Sequence, residues 1–107
     1  MSSEATTTFH SRADAPTTAA VIQKVLADTQ ATVLGQNPDS GIIEFQTRKT
    51  MFTWELLGRA TVTSAAAGSD VHLSLTVHHN RPTALMDGVK NRKALEKLAG
   101  QIQSALP

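Results

Sequence analysis

His72 and His78 stand six residues apart in the run 71–79 and are the first pair to invite a chemical reading. The run alternates apolar and polar residues, so it reads as a strand with both histidines on its wet face. At strand rise their backbones lie roughly 20 Å apart, too far to share a metal ion. His78 and His79 are adjacent and point to opposite faces. His10 belongs to a separate segment, and no His-Glu-x-x-His spacing occurs. The histidines therefore read as solvated or hydrogen-bonded surface groups. A strand order that places His10 beside His72 or His78 would reopen the metal reading.

Carboxylates offer the next possibility. Glu44 and Glu55 fall on the polar faces of two neighbouring strand-like runs, as a pair of acids for acid–base work would. Arg48 and Arg59 share those faces, and a cross-strand salt-bridge lattice is the simpler reading. No Gly-x-Ser-x-Gly elbow, phosphate-cradling glycine loop or cysteine is present. Lys90, Lys93 and Lys97, with Arg81 and Arg92 nearby, form a basic stripe that Asp87 and Glu96 dilute. Such a stripe is most often the solvated face of an amphipathic helix. Asp87, Asn91 and Arg92 fall at the head of that helix, where Asp87 and Asn91 can meet at i, i+4. Pinning the helix to the preceding loop is the bland role for this trio, and contacting a ligand is the sharp one. Trp54 shares its register with Phe52 and Leu56, which makes it a core residue rather than a stacking platform. The candidate binding surface is thus Arg48, Arg59, His72, His78, Asp87, Asn91 and Arg92. No catalytic, metal-ligating or cofactor-binding residue is assigned, and no cofactor is expected.

The elements that must carry these residues follow from hydrophobic period. Residues 1–5 are small and polar and read as frayed. Thr6–Ser11 suits a short edge strand. Pro16 at a first helical position, with Asp14 or Thr17 as cap, opens a helix whose apolar stripe is Val21, Ile22, Val25 and Leu26. Ala31–Leu34 is a brief strand-like stretch, and 35–41 reads as a loop. Ile42–Arg48 is a strand with Ile43 and Phe45 inward. Met51–His79 is the central hairpin. Phe52, Trp54, Leu56, Ala60 and Val62 line the inner face of its first strand, and Val71, Leu73, Leu75 and Val77 that of its second. Gly68-Ser69-Asp70 supplies the turn. Pro82 ends the strand, Thr83 caps the last helix, and Leu95, Leu98, Ala99, Ile102 and Leu106 form its buried stripe. The sum is an α+β domain of order β-α-β-β-β-β-α, an antiparallel sheet with both helices packed on one face.

Composition narrows the partners. A chain of 107 residues is expected to be a single domain with one core. A formal net charge of +1 gives no strong field for nucleic acid or anionic membrane. No apolar run approaches the roughly 20 residues of a spanning helix. Without cysteines or a signal-like start, a soluble cytoplasmic protein is the expectation.

The element order resembles two known topologies, the TATA-binding-protein-like fold and a shortened helix-grip (Bet v 1-like) fold. The stretches Phe52-Thr-Trp54-Glu55 and 82–92 resemble small bacterial domains without an established activity. In those domains an aromatic residue more often precedes the glycine, where Asp87 stands here. The resemblance implies a fold and brings no functional residue. Three functions remain to be weighed. The first is a non-enzymatic binding or interaction module, joining another protein or a second copy through the wet sheet face. The second is nucleic-acid binding, against which the mixed charges of that face argue. The third is a helix-grip-like domain holding a small ligand in an apolar pocket, as an enzyme or otherwise.

Overall fold

The computed structural model describes residues 4–37, 39–48, 55–77 and 87–107, the last of these with side chains from Asn91 onward. Seven elements follow in the expected order: β1 (Ala5–Ser11), α1 (Ala15–Asp28), β2 (Thr32–Asn37), β3 (Ile42–Gln46), β4 (Leu56–Ala65), β5 (Gly68–Val77) and α2 (Asp87–Ala105). The strands form one antiparallel sheet in the order β1-β5-β4-β3-β2. The first strand therefore lies beside the last.

Parity decides which side is buried. Ala5, Ile43, Phe45, Leu56, Ala60, Val62, Val71, Leu73 and Leu75 all face one way and are buried. Ile22, Val25 and Leu26 of α1 and Leu95, Leu98, Ala99 and Ile102 of α2 complete the same cluster. Both helices thus lie on one sheet face. The other face carries the intervening polar residues. Phe45 lies opposite Gly58, and its ring fills the space a Gly58 side chain would take.

The helix ends follow local chemistry. Asp14 caps α1, accepting from the Thr17 N–H at 2.8 Å. Hydrogen bonds from Thr17 hold its carboxyl below the ordinary carboxylate range. At the other end Gln30 N–H donates to the Ala27 carbonyl and Ala31 N–H to the Leu26 carbonyl. That is a Schellman closure, with Gln30 rather than glycine in the left-handed conformation at φ 63°.

Several boundaries differ from the sequence reading. Ala5, expected among frayed residues, is buried in β1, where it pairs with Leu75. Tertiary pairing orders a residue that propensity leaves loose. The loop expected from Gly35 is shorter, because β2 continues to Asn37. A bulge at Leu34 shifts the register between Val33 and Gly35. The Asn37 side chain then accepts from the Asp39 and Ser40 N–H groups and makes the turn. The central hairpin turns at Ala66-Ala67, just before the Gly68-Ser69-Asp70 of the expectation. Gly68, at φ 126°, already pairs with Ala65 and supplies the left-handed conformation. β3 ends at Gln46 rather than Arg48. The expected roles of Phe52, Trp54, Pro82 and Thr83 lie outside the described residues.

Candidate functional site

Of the expected surface residues, Arg59 and His72 lie on the outer sheet face, each in its own pair. Glu44 lies directly across from Arg59, and Arg59 Nη2 donates to Glu44 Oε2 at 3.3 Å. Glu55 is four residues from Arg59 along the chain, so Glu44 and Glu55 do not face each other and the acid pair does not form. One carboxylate oxygen of Glu55 is shut off from solvent. Arg48 does not join the Arg59 pair. Its guanidinium donates to Gln30 Oε1 and ties the end of α1 to the residues after β3. His72 is exposed, with Nδ1 3.2 Å from Thr8 Oγ1. His78 lies outside the described residues.

Strand order does bring His10 close to His72, on adjacent strands and the same face. Its direct partner, however, is Asp70. His10 Nδ1 stands 2.9 Å from Asp70 Oδ1, and Nε2 stands 3.0 Å from the Ala67 carbonyl. The Asp70 hydrogen bond, with the Ala67 carbonyl second, raises the His10 pKa above the ordinary histidine value. Among the described residues no three His, Asp or Glu side chains converge in a way that could hold a metal ion.

The trio at the head of α2 lies only partly within the described side chains. Asp87 begins the helix, and its side chain lies outside the described residues. Asn91 is buried and Arg92 is exposed. One helical step turns the two side chains by about 100°, so they face different surroundings. Asn91 sits on the stripe of Leu95, Leu98 and Ile102, one turn nearer the start of the helix. It is the polar member of the surface that α2 presents to the sheet. Lys93 and Lys97 are exposed, as the amphipathic pattern predicts.

A buried hydroxyl network escaped the sequence reading. Ser11 on β1, Thr18 on α1 and Ser69 on β5 are each at most 2% exposed. Ser11 Oγ lies 2.8 Å from Thr18 Oγ1, and Thr18 Oγ1 lies 2.9 Å from Ser69 Oγ. Ala13 N–H donates to Ser11 Oγ at 3.1 Å, and Ser69 Oγ donates to the Ala13 carbonyl at 3.0 Å. One donor assignment satisfies these four bonds: Ala13 N–H to Ser11, Ser11 to Thr18, Thr18 to Ser69, Ser69 to Ala13 C=O; Thr18 Oγ1 also lies 3.3 Å from the Ala13 carbonyl, an alternative acceptor for its one proton. The signal was present as polar residues in inward register. Ser11 follows Phe9, Ser69 precedes Val71, and Thr18 is four residues from Ile22 on the helix stripe.

An open groove of about 600 Å³ runs between the helices, with Val25 and Thr29 on one side and Lys97, Gly100 and Ser104 on the other. It lies on the outer surface of the helix layer, since Lys97, Gly100 and Ser104 are exposed. It is distinct from the interface between sheet and α2.

No family model matches the chain, and no curated protein matches it. Solved structures do. Ara h 8.0201 superposes with a TM-score of 0.64 at 11% identity, over 95% of this chain and 93% of that one. A START superfamily protein from Mycobacterium smegmatis gives 0.59 at 12% identity, over 95% and 92%. The Zhui aromatase/cyclase from Streptomyces sp. R1128 gives 0.54 at 13% identity, over 95% and 87%. The fold is the helix-grip (Bet v 1-like) fold, one of the two topologies the element order resembled. Among the described residues no helix is long and apolar enough to cross a membrane.

Proposed function

We propose that this domain is a small-ligand-binding module that holds a compact, mainly apolar molecule between the sheet and α2. The observation that carries the reading is Asn91, a buried amide on the otherwise apolar face of α2. A ligand site of this kind pairs an apolar lining with a few placed polar groups that fix orientation. The likeness to a START superfamily protein and to an aromatase/cyclase supports the fold-level part of this reading. At such low identity it lends no substrate.

This reading takes precedence over an interaction module working through the outer sheet face. The described ionic and imidazole side chains there already pair within the sheet, as Arg59 with Glu44, His10 with Asp70 and His72 with Thr8. We favour binding over catalysis, because the His10–Asp70 pair lies on the face turned away from α2. A cysteine-free sequence suits a reducing cytoplasm.

The test is titration with a neutral apolar fluorophore, N-phenyl-1-naphthylamine. Saturable one-to-one binding with a dissociation constant of about micromolar order is expected. Asn91→Leu should leave the bare hydrocarbon probe bound and weaken alcohol- or ketone-bearing analogues relative to it. Absence of saturable binding by a chain that circular dichroism shows to be folded would refute the proposal.

A further inference from the structure

We propose that His10 is a pH-operated latch: its doubly protonated ring fastens the end of β1 to the tip of the β4–β5 hairpin, and loss of one proton releases that tip.

The geometry requires two donors. Both ring nitrogens face oxygen acceptors, Asp70 Oδ1 at 2.9 Å and the Ala67 carbonyl at 3.0 Å. A neutral imidazole carries one N–H, so it satisfies only one of them. Deprotonation keeps the stronger bond to the carboxylate and turns the ring's other lone pair toward the Ala67 carbonyl. Ala67 is the second residue of the two-residue turn.

What the latch fastens is a crowded joint. Gly68, next to Ala67, is packed against the backbone of Ser11 and Arg12, with no room for a side chain. Ser11 and Ser69 on the two strands join the hydroxyl ring that fixes the start of α1. Freeing Ala67 therefore loosens the point where β1, the hairpin and α1 meet.

The ionisable groups around His10 are few. β5 presents Asp70 and, two residues on, His72. The connection after β1 presents Arg12, whose charge opposes protonation weakly. β4 presents Thr61 and Thr63, which do not titrate. Both helices lie on the other face. The sign follows from the raised folded pKa. The latch is closed below the ordinary histidine value of 6.5 and opens as pH climbs through His10's own higher value. The inference stands apart from the ligand proposal, because it concerns the opposite sheet face.

The test combines an NMR titration of the histidine ring signals with amide exchange, corrected for intrinsic rate, at pH 5.5 and 8.5. His10 should titrate above the ordinary histidine value of 6.5, and Asp70→Asn should lower its midpoint. The protection of the Ala67–Ser69 amides should fall by about twofold or more between the two pH values in the native chain and stay level in His10→Gln. An His10 midpoint at or below 6.5 would overturn the latch. So would equal pH dependence in His10→Gln.

Discussion

Thr18→Val puts the hydroxyl ring to a quantitative test. The two side chains are nearly the same shape, so the change makes no cavity. It exchanges a fully buried hydroxyl for a methyl. In the closed assignment Thr18 accepts from Ser11 and donates to Ser69. Valine therefore leaves Ser11 without its acceptor and Ser69 without its donor. Each lost hydrogen bond is worth about 0.5–1.5 kcal/mol net, so the variant should lose about 1–3 kcal/mol. With a urea slope of about 1–3 kcal/mol/M, the unfolding midpoint should fall by about 1 M. Ser69→Ala, combined with Thr18→Val in a double-mutant cycle, should show a coupling of about 0.5 kcal/mol or more, because both act on one ring. An unchanged or raised midpoint in Thr18→Val would refute the reasoning. It would show that apolar packing at that site outweighs the network.

Two further substitutions probe glycine positions with opposite expected signs. Gly58→Ala would drive a Cβ into the fully buried Phe45 ring and should cost about 1–3 kcal/mol by overpacking. Chemical denaturation measures this, and Phe45→Leu in the same chain should recover part of the loss. Gly100→Ala meets nothing within 4 Å and should raise thermal stability by about 0.5–1 kcal/mol through helix propensity. A drop in melting temperature would mean that the groove beside Gly100 is narrower in solution.

Element type and order were legible because the strands alternate cleanly. Val71, Leu73 and Leu75, and likewise Ala60 and Val62, can face only one way if the other face is polar. The stripe of α1 was equally plain. Boundaries that depend on long-range pairing were less so. Ala5 has no strand signal of its own and is ordered by Leu75. Gly35 reads as a loop residue but sits at a bulge, which tolerates it. The site was legible in part. The outward direction of Glu44, Arg59 and His72 followed from parity. The pairing of His10 with Asp70 did not, since it depends on β1 lying against β5. Asn91 and Arg92 are neighbours in sequence, and only the helix phase separates a buried amide from an exposed guanidinium.

The adjacency of β1 and β5 sets a waiting time during synthesis. Thr8 and His72 meet across 64 residues of chain. At a translation rate of about 5–20 residues per second, that interval lasts about 3–13 s. Through it the first strand emerges with no partner, and Phe9 has no β5 to lie against. The nascent segment must stay unpaired without aggregating. Its composition suits that delay, because three threonines precede Phe9 and His10 and Ser11 follow it. The opening segment is thus polar enough to wait for the strand that completes the sheet.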